Sequence, residues 1–171
     1  MDGNTLDLHD PYRRLRPSGA TPPDELCRCP DRPAVKLMQA LGTNPLHCMR
    51  CHGEVPPEAL PLPTDLADPV ANWSSVYDAL DRLWLDSGAD EAWAAGELAN
   101  LDSPANRAGL ALRARIDPVR RCYYWVFDAT AGTEVEATRR CPSCAKPMTP
   151  YVGGRIPQVV CESCSLVAAT I

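Results

Sequence analysis

Two cysteine pairs, Cys141-Pro-Ser-Cys144 and Cys161-Glu-Ser-Cys164, stand sixteen residues apart. No other feature limits so tightly what this chain can fold into. Two residues between cysteines bend the backbone into a knuckle, so both thiolates can reach one ion at about 2.3 Å. Two knuckles supply the four corners of a tetrahedron, and C-x2-C-x16-C-x2-C falls in the spacing range of zinc sites. Four thiolates leave no open position for water, which makes such a site structural rather than catalytic. Between the pairs, residues 146–152 and 155–160 can form a hairpin around Gly153-Gly154, and residues 166–171 can add a third strand. That is the layout of a zinc ribbon.

A second constellation lies near the other end. Cys27-Arg-Cys29 and Cys48-Met-Arg-Cys51 give C-x-C-x18-C-x2-C. Its first pair is tighter than a standard knuckle, yet both sulfurs can still bind one metal, and a second structural zinc is expected on these four residues. His47 and His52 flank the later pair as surface or supporting residues, and either has the chemistry to replace a cysteine. Joining neighbouring groups costs the least loop entropy, so local pairing is favoured. A crossed arrangement, tying the first segment to the ribbon, stays open. Cys122 is left over, in the apolar run Cys122-Tyr-Tyr-Trp-Val-Phe127, and reads as a buried thiol.

Nine cysteines would suit a disulfide framework in a secreted chain. The first ten residues are acidic and lack an apolar export core, and no stretch approaches the roughly 18 apolar residues of a membrane span. A cytoplasmic location with reduced, metal-binding thiols is therefore expected, and the scarcity of lysine, Lys36 and Lys146 alone beside many arginines, fits a GC-rich bacterial genome.

Composition divides the chain. Residues 1–24 are rich in proline and read as an extended arm, and 25–64 as the first zinc-knuckle region. Residues 65–116 lack cysteine and look helical, while 117–171 look like a β-hairpin followed by the ribbon. Residues 25–171 are expected to pack as one unit. Trp73, Val76, Tyr77, Leu80, Leu83 and Trp84 recur at spacings of three and four, which predicts one buried face of a helix from about Val70 to Asp86. These rings are read as core rather than as a base-stacking surface. A second helix is predicted from Asp90 to Asn100, with Trp93 and Leu98 inward. A third runs from Pro104 to about Ile116, capped by Ser103. After Pro118, residues 122–127 favour a strand, and 133–138 are expected to return beside it. The fold class is thus α+β: zinc-ribbon and knuckle β elements at both ends, with a roughly three-helix middle.

The order of these features resembles an uncharacterised bacterial family of zinc-ribbon proteins for which nucleic-acid binding has been suggested. The resemblance rests on Pro45-Leu-His-Cys48-Met-Arg-Cys51 with Gly53-Glu-Val-Pro56, Trp73-Ser-Ser-Val-Tyr77, Asp81-Arg-Leu-Trp84, Leu101-Asp-Ser103, Gly109, Tyr123-Tyr124 and the two ribbon pairs. It covers roughly residues 27–171. Where the family usually has glycine after the second knuckle cysteine, this chain has Ala145 and Ser165. The resemblance implies zinc sites and the possibility of a nucleic-acid ligand, but no mechanism.

Charge bears on that ligand. The formal net charge is −5. Each zinc with four thiolates adds about −2, which takes a doubly loaded chain to about −9. Residues 65–116 hold nine acids and four bases. Phosphate binding ordinarily comes with a basic patch, here limited to Arg120, Arg121, Arg139, Arg140 and Arg155 in or near the ribbon. An acidic, zinc-stiffened scaffold suits a protein partner with a basic surface, as an accessory subunit or an immunity protein that neutralises a toxin would need. Nucleic-acid binding is the alternative reading and an uncharacterised enzyme the second alternative. No H-E-x-x-H, P-loop or G-x-S-x-G run is present, so the expectation is a non-enzymatic protein.

Overall fold

The computed structural model describes residues 10–15, 21–39, 44–128 and 139–170. Its centre is a six-stranded mixed sheet. The strands are β1 (Val35–Leu37), β2 (Leu46–Cys48), β3 (Cys122–Trp125), β4 (Thr149–Pro150), β5 (Gln158–Cys161) and β6 (Leu166–Ala169). Their order across the sheet is β2-β1-β3-β6-β5-β4. The β elements expected at the two ends of the chain therefore belong to one sheet. β1 and β2 pair antiparallel, as do β4 with β5 and β5 with β6. The two halves join through β3, which runs parallel to β1 on one side and to β6 on the other. The return strand expected over 133–138 lies outside the described residues.

Between β2 and β3 run helices α1 (Thr64–Asp86), α2 (Glu91–Ala99) and α3 (Pro104–Ile116). α1 begins six residues before the expected Val70, and Pro69 sits inside it. Pro69 removes one backbone donor, but Leu66 and Ala67 extend the buried face of Val70 and Ala71 upstream. Burial of that face outweighs the lost bond. Ser103 caps α3 as expected, its side chain accepting from the Asn106 amide, with Pro104 as the first helical residue.

Trp73, Tyr77 and Leu80 are core residues, and the Trp73 ring lies tilted against Tyr77 and edge-on to Tyr124. The Trp73 indole N–H donates to the Ala105 carbonyl at 3.0 Å. Two residues depart from expectation: Val76 is 54% exposed and Trp93 56% exposed. Both were expected on the inward side; α2 and α3 leave Val76 of α1 uncovered, and α2 buries Ala94 and Leu98 rather than Trp93. Gly109 shows how tightly α3 meets the sheet, since a Cβ there would stand 2.6 Å from the Trp73 indole nitrogen and would also strike the Tyr124 ring.

The sheet has two unlike faces. Val35, Leu37, Cys122, Tyr124, Leu166 and Ala168 join the helices in the main core. The opposite face carries a smaller cluster of Met49, Tyr123, Val160 and Val167, with Trp125 and Tyr151 against it. Part of the expected N-terminal arm is also packed. Residues 13–15 form a 3-10 turn that buries Leu15, and the Tyr12 hydroxyl donates to the Leu62 carbonyl at 2.6 Å. Among the described residues, no helix is long and apolar enough to cross a membrane.

Candidate metal centres

The eight expected ligands assemble into two groups, Cys27, Cys29, Cys48 and Cys51, and Cys141, Cys144, Cys161 and Cys164. Within each group the four sulfurs lie within 4.8 Å of one another. Pairing is thus local, and the two groups are positioned to hold two zinc ions. The geometry can be checked against the ion. A zinc–sulfur bond of about 2.3 Å requires tetrahedral edges of about 3.8 Å. Cys144 and Cys161 sulfurs are 3.6 Å apart, and Cys29 and Cys48 sulfurs 4.0 Å.

The first site is built from a strap and a knuckle. The strap, residues 25–29, is held beside Glu54: the Cys27 amide donates to the Glu54 carbonyl at 2.7 Å, and the Glu54 amide donates to Glu25 at 2.8 Å. The knuckle follows β2. The Arg50 and Cys51 amides point at the Cys48 sulfur, at 3.3 and 3.5 Å. Gly53 lets strap and knuckle meet, because a Cβ there would lie 2.8 Å from the Glu25 carbonyl oxygen and 2.9 Å from the Cys27 nitrogen.

The second site closes the three-stranded ribbon. Cys141 and Cys144 precede β4, Cys161 ends β5, and Cys164 leads into β6. The Cys141 amide bonds to Lys146 and the Ala145 amide to Cys141, each at 2.8 Å. Ser163 Oγ lies 3.3 Å from the Cys161 sulfur. After the second cysteine of each knuckle the chain turns left-handed, with φ of 66° at His52, 57° at Ala145 and 53° at Ser165. That conformation favours glycine.

The thiols within each group differ in acidity. Burial raises Cys29 and Cys48 to about 11 and Cys141 to about 12, with like thiolates adding to the effect. Cys144 is lowered to about 6, chiefly by the Lys146 backbone N–H. Four neighbouring thiols cannot all ionise unaided, and a divalent ion at the centre removes the conflict.

Neither His47 nor His52 is in a ligand group. His47 Nδ1 is 3.2 Å from the His52 carbonyl, and its buried Nε2 has no hydrogen-bond partner among the described residues. His52 Nδ1 instead accepts from Lys36 at 2.5 Å. Burial, with the Lys36 charge beside it, lowers His52 to about 4. Cys122 is buried, and its thiol is pushed up to about 12 by that burial, which makes it an unreactive packing group. Two residues at the centres were missed by sequence reasoning. Lys36 is fully buried with its ammonium over the Trp125 ring, and buried Gln158 bonds to both Lys36 and Met49. Alternation along β1 could have placed Lys36 on the sheet face away from the helices, but nothing local signals its burial.

No family model, curated protein or solved structure matches this chain.

Proposed function

We propose that this protein is a non-enzymatic, zinc-stiffened interaction module whose partner presents a basic amphipathic segment. One observation carries the reading. An open groove of about 420 Å³ runs between the helices, lined by Val76, Ala79 and Leu83 of α1, Glu97 of α2, and Pro104 and Ala105 of α3. Its lining is almost wholly apolar, and Glu97 is its one acidic residue. Trp93, four residues before Glu97, stands on the same side of α2 and is more than half exposed. Acids outnumber bases nine to four across residues 65–116. An apolar trough with acidic surroundings fits the apolar stripe of a helix whose flanks carry Lys or Arg.

Nucleic acid is the weaker reading because most of the ribbon arginines are engaged within the chain. Arg120 donates to the Ala59 carbonyl, Arg121 bonds Glu162 and Asp117, Arg139 pairs with Asp128, and Arg140 donates to the Ala145 carbonyl. The closed thiolate sets also leave no metal position for catalysis. Membership of the zinc-ribbon family would fit either reading.

The test uses the zinc-loaded protein with a photo-crosslinking residue at position 76. A basic partner should crosslink there, and Val76→Asp should abolish its stoichiometric capture. Crosslinking to nucleic acid alone, or capture indifferent to the substitution, would overturn the proposal.

A further inference from the structure

We propose that the two zinc sites load cooperatively, with Gln158 and Lys36 as the link between them. The inference concerns the metal centres alone and does not depend on the docking reading.

Met49 and Arg50 are the two residues between Cys48 and Cys51, so their backbone sets the shape of the first knuckle. Both of their carbonyls are hydrogen-bonded from the distant ribbon hairpin. Gln158 Nε2 donates to Met49 at 2.9 Å, and the Arg155 amide donates to Arg50 at 2.6 Å. Arg155 lies in the β4–β5 connection and Gln158 opens β5. The second zinc closes that hairpin, since Cys141 and Cys144 precede it and Cys161 ends it. A ribbon without its metal loses the restraint that holds these two donors against the first knuckle.

Lys36 makes the link run in the other direction. Its side chain has 0% exposure. The ammonium donates to Gln158 Oε1 at 2.6 Å and to His52 Nδ1 at 2.5 Å, and lies 4.7 Å from the centre of the Trp125 ring. None of these three partners carries a negative charge. Burial works against the Lys36 ammonium, and thiolate charge on Cys48 and Cys51 is what favours it. A buried ammonium without counter-charge is costly, and a zinc bound by four thiolates supplies a net charge of about −2. Loading the first site therefore favours the buried ammonium. The ammonium in turn holds the Gln158 oxygen and leaves Nε2 aimed at Met49. Each site thus stabilises the donor geometry that the other uses, and such coupling is reciprocal.

The experiment supplies one equivalent of zinc per chain to the reduced, metal-free protein and counts species by native mass spectrometry. Independent, equal sites give half of the chains with one zinc. Cooperative loading depletes that species in favour of metal-free and two-zinc chains. Gln158→Glu keeps the side-chain volume and an acceptor for Lys36 but removes the donor to Met49. The product of the metal-free and two-zinc fractions, divided by the square of the one-zinc fraction, should fall about fivefold or more in this variant, the lower end of measured couplings. Lys36→Met, which removes the ammonium, should act in the same direction and covers the case in which Gln158→Glu folds poorly. An unchanged ratio in the folded variants would overturn the proposal.

Discussion

The Tyr124 hydroxyl donates to Asn106 Oδ1 at 2.7 Å, deep in the core, and joins the central strand of the sheet to the start of α3. The Asn106 amide nitrogen lies at 3.1, 2.9 and 2.8 Å from the carbonyls of Glu97, Leu98 and Asn100, where α2 ends. One buried side chain thus gathers the end of α2, the start of α3 and the sheet. Asn106→Ala strands a buried phenol and the carbonyls that amide serves. At roughly 1–3 kcal/mol for each group left unsatisfied, the phenol and the three carbonyls put the loss at about 4 kcal/mol or more. Urea unfolding of the zinc-loaded protein measures it. Tyr124→Phe should cost less, because the asparagine keeps its bonds to the carbonyls.

Zinc analysis of the purified, reduced protein should return two ions per chain. Removal of both by a chelator should abolish the cooperative thermal transition, because metal binding and folding are coupled at sites of this kind. Calorimetry before and after chelation reads the change.

Gly53→Ala strikes the first centre directly. The new methyl would press on the strap at Glu25 and Cys27, and its neighbours there are backbone atoms that cannot swing aside. The first site should be weakened while the four ribbon cysteines remain in place. The expected result is a weaker hold on zinc under mild chelator competition, with loss starting at the first site and extending, through the coupling, to the second.

Ala145→Gly should stabilise the loaded protein. Ala145 is exposed and held at φ 57°. A left-handed alanine costs about 1–2 kcal/mol, of which glycine's greater freedom in the unfolded chain returns a part. A net gain of about 0.5–1 kcal/mol is expected in denaturant unfolding.

Asp81 introduces a pH dependence. Burial, and then the charge of Asp78, raises its carboxyl to about 6. The unfolded value is about 3.9, so the native state favours the protonated form. Its contribution is therefore present at low pH and is lost as pH rises through about 6. Asp81→Asn keeps a neutral group at every pH. It should stabilise the protein by about 1 kcal/mol at pH 8, allowing for partial exposure, and the advantage should narrow towards pH 5. Unfolding curves for the two proteins across that range decide the matter.

The sequence made some of these features legible and hid others, for physical reasons. Cysteine ligands at two-residue spacing declare themselves because the knuckle is a local structure. Helical faces are legible from periodicity, but Val76 and Trp93 show the limit of that signal. Period identifies a face and does not say how far neighbouring helices extend over it. The ribbon strands were readable because consecutive strands tend to pair antiparallel through short turns. The parallel neighbours β1 and β6 of β3 were not, since that pairing depends on segments far apart in the chain. Lys36 is the clearest case. A lysine in a three-residue strand reads as solvent-facing, and its burial depends on Gln158, 122 positions later.

The parallel placement of β3 also has a consequence for a chain still being made. β3 needs β1 from early in the chain and β6 from near residue 169 before both of its edges are paired. A growing polypeptide emerging from the ribosome can make the first knuckle and all of the helices while one edge of its central strand is still bare. Such an edge invites pairing with another chain. Prompt capture of zinc by the late ribbon would then act as a closing step in maturation, shortening the interval in which a nascent molecule can aggregate.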